Sequence, residues 1–86
     1  MKMGSYEKSV RTTLGYVSEN IREIKERLQD PAISASDKSL FSAYLNNNAT
    51  VFVGCCAELL SLKPEDERKK IMQMNPLGAL LHIVAA

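Results

Sequence analysis

Cys55 and Cys56 stand side by side in the stretch Val51-Phe52-Val53-Gly54-Cys55-Cys56, and they are the only cysteines of the 86-residue chain. Paired thiols can bind metal, form a disulfide or act as thiolate nucleophiles. Zinc asks for about four ligands, with cysteines normally two to four residues apart. Here the two are adjacent, and the single histidine, His82, lies on a different segment. A disulfide between neighbours is disfavoured, because consecutive Cα atoms are about 3.8 Å apart whereas bridged ones stand roughly 4.4–6.8 Å apart. On a helix the two side chains also diverge by about 100°. Both cysteines fall on apolar stripes, so the expected role is that of small hydrophobes in a core.

His82 has no nucleophile motif to serve. The chain contains neither GxSxG nor HExxH, and its four glycines are too scattered for a phosphate-cradling loop. No catalytic residue, metal ligand or cofactor site is therefore assigned. Arg68-Lys69-Lys70 is the one basic run, and it follows the acids Glu65, Asp66 and Glu67. That order complements a helix dipole and reads first as a solvated face. Its alternative use is to meet a small anionic ligand or nucleotide. Net charge is +1, so no long-range field gathers nucleic acid. Without tryptophan, and with two phenylalanines and three tyrosines, the chain lacks a base-stacking platform.

The elements that carry these residues follow from periodicity. From about residue 5 to 28, Val10, Leu14, Val17, Ile21, Ile24 and Leu28 recur by fours and threes, one narrow stripe on a helix. Glu7 with Arg11 and Glu23 with Arg27 stand in the favourable i,i+4 order. Pro31 breaks the pattern, and Ser34 with Asp37 fits a capping box at the start of a second helix over about 35–62. Its seam is Phe41, Leu45, Asn48, Phe52, Cys55, Leu59 and Leu62. A second apolar stripe, Ala49, Val53, Cys56 and Leu60, lies beside it. Pro64 opens a third helix to about residue 74, and Pro76 a fourth to about 85 with Leu77, Leu80, Leu81 and Val84 on one face. Asn75 can end one and cap the other.

The second helix is the unusual one. Between Ser39 and Leu62 its only charge is Glu58, and its remaining side carries the short residues Ala43, Asn47, Thr50, Gly54, Ala57 and Ser61. A helix uncharged nearly all round is normally buried nearly all round. A membrane span is disfavoured by Asn46, Asn47 and Asn48 at its centre. One partner helix and two short ones cover too little of a helix about 42 Å long. The expected interface residues are Phe41, Asn47, Asn48, Thr50, Gly54, Ala57 and Ser61. Gly54 costs roughly 1 kcal/mol against alanine in a helix, so a second backbone is expected to pass close by. Asn48 in an apolar seam calls for a polar partner or for water.

These observations imply one all-α domain over residues 1–86. Its expected form is a long antiparallel two-helix hairpin followed by two short helices, completed by oligomerisation. The expected function is non-enzymatic protein interaction, of the adaptor, small chaperone or inhibitor type, with a homo-oligomer or a protein partner. A small-ligand site between protomers, drawing on Arg68, Lys69 and Lys70, is the alternative. The N-terminal residues show no apolar signal region, and unbridged cysteines suit a reducing compartment, so a cytoplasmic location is expected. The ending Ile83-Val84-Ala85-Ala86 resembles the small apolar C-terminal tails recognised by bacterial unfoldase–protease systems, which implies a degradation signal. The other reading is that this last turn docks on the core.

Overall fold

The computed structural model describes residues 4–85. Four helices follow one another: α1 over Ser5–Leu28, α2 over Ala35–Ser61, α3 over Glu65–Met72 and α4 over Pro76–Ala85. There is no strand among the described residues. α1 and α2 form the long hairpin, α4 packs back onto α2, and α3 links them.

The joints are built by local hydrogen bonds. Asp30-Pro31-Ala32-Ile33 closes a β-turn, with the Ile33 amide donating to the Asp30 carbonyl and the Ala32 amide donating to Asp30 Oδ1 at 2.9 Å. Aspartate first and proline second is the favoured order for such a turn. Ser34 then caps α2, its Oγ accepting from the Asp37 amide at 3.1 Å. Pro64 is the residue before α3, which begins at Glu65. Asn75 caps α4 through Oδ1, which accepts from the Gly78 amide at 2.8 Å.

The core is small and lies toward one end. Leu14 of α1, Cys55, Cys56 and Leu59 of α2, Ile71 of α3 and Ile83 of α4 form its buried cluster, with Val10, Phe52, Leu60, Ala79 and Leu80 packed around it. Ile71 is the one buried residue of α3. On α4 the core-facing residue is Ile83, while Leu77, Leu81 and Val84 remain exposed. Of the four residues expected on one face of this helix, only Leu80 packs against the core. Apolar side chains surround α4, so docking rather than periodicity selects the buried side. The last turn does dock through Ile83, whereas Ala86 lies outside the described residues.

Toward the turn, the hairpin is thinly covered. Ile24 is buried there, but Ile21, Leu28, Phe41 and Leu45 are half-exposed. The molecule is a slab of 48 × 28 × 16 Å with a radius of gyration of 15.6 Å, against about 12 Å for a compact domain of this length.

The surface ion pairs also differ from expectation. Arg22 holds both Glu19 and Glu26, and Lys69 reaches Glu65 at 3.4 Å. Neither Glu7–Arg11 nor Glu23–Arg27 is among the ion pairs of the described residues. Arg11 instead spans helices, its Nη1 donating to the carbonyl of Ile83 at 3.4 Å. Hydrogen bonding to Arg22, and then its charge, holds the Glu19 carboxyl below its ordinary range.

Candidate functional site

The thiols are placed by packing. Cys55 is 9% and Cys56 3% exposed, both are unbridged, and both belong to the core cluster. Burial pushes the Cys56 thiol up from its ordinary pKa, with the neighbouring Cys55 adding to the effect. A thiol so shifted holds less thiolate, the opposite of what a nucleophile or metal ligand needs. No group of three or more histidine, cysteine, aspartate or glutamate side chains among the described residues could hold a metal ion. His82 is exposed on α4.

Asn48 finds its partner inside the chain. Asn20 Nδ2 of α1 donates to Asn48 Oδ1 at 3.3 Å, and Asn48 Nδ2 donates to the Tyr44 carbonyl at 2.8 Å. The seam asparagine is half-buried and bonded across the hairpin, which removes the need for an asparagine from another copy. Asn20 was not singled out from sequence. Its only signal is that it lies one heptad after Thr13 on the polar margin of the α1 stripe.

The short-residue side of α2 faces outward. Ala43, Asn47, Thr50, Gly54, Ala57 and Ser61 are all exposed, while Phe41 and Asn48 are half-buried. A Cβ added at Gly54 would meet no atom of this chain within 4 Å, so the close backbone expected there is not supplied by the chain itself. Larger apolar side chains flank this row, with Tyr44 and Val51 each 46% exposed and Val53 59% exposed. Between the helices run two shallow grooves. One is bordered by Ser9, Thr13, Val51, Gly54 and Glu58, with Val10 and Cys55 also lining it. The other is almost wholly apolar and is lined by Ser18, Ile21, Ala49, Phe52 and Val53.

The basic run does not converge. Arg68 is half-buried, with a buried Nε that has no hydrogen-bond partner, whereas Lys69 and Lys70 are exposed. Successive positions on a helix diverge by about 100°, so the three cations point to different sides of α3. No helix among the described residues is long and apolar enough to cross a membrane. No family model matches the chain, nor does any curated protein or solved structure.

Proposed function

We propose that this protein is a non-enzymatic helical interaction module of the adaptor, small chaperone or inhibitor type, acting in the cytoplasm as an oligomer or within a complex. One observation carries the reading: α2 leaves an uncharged side in the open, with Thr50 and Gly54 at its middle and Val51 and Val53 beside them. Exposed apolar surface of this continuity normally marks a place where another protein sits. The contact would use Phe41, Asn47, Asn48, Thr50, Gly54, Ala57 and Ser61. Capture from host cells tests this, with the tagged parent compared with a Thr50→Lys, Ala57→Lys variant. Both positions are exposed, so the variant keeps its fold. A partner held by the parent and lost by the variant supports the reading. Equal capture by both removes it.

A second reading rests on the unpartnered Nε of Arg68, a buried donor without an acceptor. A small anion held by Arg68 with Lys69 and Lys70, at a site completed by a second protomer, would satisfy it. Thermal stabilisation by small phosphorylated ligands, abolished in Arg68→Gln, would favour this reading over the first.

A further inference from the structure

The apolar stripe Ala49, Val53, Cys56 and Leu60 of α2 is covered along only half its length. Cys56 is buried and Leu60 partly buried in the core to which α4 contributes Ile83, Ala79 and Leu80. Ala49 and Val53, the same stripe continued toward the turn, are exposed. On α1 the same division appears. Arg11 meets the carbonyl of Ile83 on α4, whereas Ser18, seven residues on and therefore on the same side of the helix, lines the open apolar groove. One face of the hairpin thus carries α4 over one half and bare groove over the other, like a step.

α4 itself shows a second apolar stripe. Leu77 is 68%, Leu81 61% and Val84 41% exposed, spaced by four and three residues, and no residue from Pro76 to Ala85 is an acid, a lysine or an arginine. The groove likewise has no charged residue among Ser18, Ile21, Ala49, Phe52 and Val53. A stepped surface is self-complementary under a two-fold axis, since each copy's raised half can enter the other's lowered half.

We propose that two copies of this chain associate about a two-fold axis, each laying the Leu77, Leu81 and Val84 stripe of α4 into the partner's groove at Ile21, Phe52 and Val53. The chain exposes 6427 Å² of surface, where a compact monomer of 9.5 kDa exposes about 5000 Å². A standard interface hides about 800 Å² on each partner, well within that excess. The new contact continues the existing α2–α4 packing along one stripe, so each hairpin receives two α4 helices end to end, its own and its partner's. The short-residue side of α2 stays free. The inference therefore deepens the interaction reading, on which it rests, and shares with the surface assigned to a different partner only Val53 at its margin.

Sedimentation equilibrium of the purified full chain tests it. The parent should be a dimer at micromolar concentration. Leu81→Lys and Val53→Lys, each at an exposed position, should separately weaken self-association at least about tenfold while the far-UV circular dichroism remains that of the parent. Asn47→Lys, on the free side of α2 and away from Val53, should stay dimeric. A monomeric parent at 100-fold higher concentration would overturn the proposal. So would a dimer that Asn47→Lys breaks and the other two spare, which would place the contact on the other side of α2. If either lysine variant loses helicity, Leu77→Gln and Ala49→Gln replace it as milder probes with the same expected loss. Capture of another protein by a strictly monomeric chain would defeat the dimer and leave the interaction reading standing.

Discussion

The phenol of Tyr6, in the first turn of α1, donates a 2.7 Å hydrogen bond to the carboxylate of Glu58 near the end of α2, 52 positions away. The bond joins the two helices at the end opposite their turn and engages the one charge that α2 carries beyond Lys38. It also raises the Tyr6 pKa above its ordinary value, first through the hydrogen bond, then through burial and the charge of Glu58.

The pH consequence has a definite sign. A raised folded pKa means that the stabilisation is complete below the unfolded value of about 10 and is lost as pH rises through the folded value. Tyr6 is exposed, so the effect is small. Melting temperature should decline above about pH 10 in the parent and decline less in Tyr6→Phe. Parallel melting curves for the two proteins across that window would remove the bond from the account.

Both thiols should be silent in the native state. Thiol reagents should modify Cys55 and Cys56 only as fast as the core opens, and both at once in denaturant. Changing both to alanine should cost about 1 kcal/mol per site and leave partner capture intact. Immediate labelling of the folded protein, or a folded variant that captures nothing, would make the thiols chemical.

Leu59 is 1% and Ile71 2% exposed, and they anchor different helices to the same core. Leu59→Ala should cost about 2–5 kcal/mol in chemical denaturation. Ile71→Ala should act locally, because Ile71 is the one fully buried residue of α3: amide exchange in α3 should accelerate more than in α1. Uniform acceleration along the chain would mean that α3 folds and unfolds with the rest.

The Asn20–Asn48 bond is expected to be dispensable for stability. Asn20 is exposed, so its amide returns to water when the partner is removed. Asn48→Leu, at a half-buried seam position, should change stability by less than about 1 kcal/mol in either direction. A loss above about 2 kcal/mol would show that the pair holds the hairpin in register.

The helices were readable because Leu14, Val17 and Ile24 repeat along one face and proline or asparagine marks each joint. The buried thiols were readable for the same reason, since Cys55 sits where the seam repeats and Cys56 on the apolar stripe beside it. What periodicity could not provide was register. Tyr6 meets Glu58, and Asn20 meets Asn48, only once the two helices have a fixed offset, and no local pattern encodes that offset. Arg11 was assigned to Glu7 by spacing but lies within reach of the Ile83 carbonyl, a group that only the return of α4 supplies. Arg22 was not assigned a partner from spacing, though Glu19 and Glu26 stand at i−3 and i+4. Which side of α4 is buried was not legible, because apolar residues at Leu77, Ala79, Leu80, Leu81, Ile83 and Val84 leave periodicity almost no contrast to work with.

The off-centre core makes the hairpin behave as a tuning fork rather than a rod. Leu14, Cys56 and Leu59 clamp the stem together with Ile71 and Ile83, while the prongs meeting at Asp30 and Pro31 are held mainly by Ile24 and by half-exposed contacts. Small splaying motions therefore cost least around residues 24–45, where they leave the clamp undisturbed. A molecule seated in the groove at Ile21 and Phe52 would damp those prongs, so occupancy there would be felt as stiffness at the turn, beyond the groove itself.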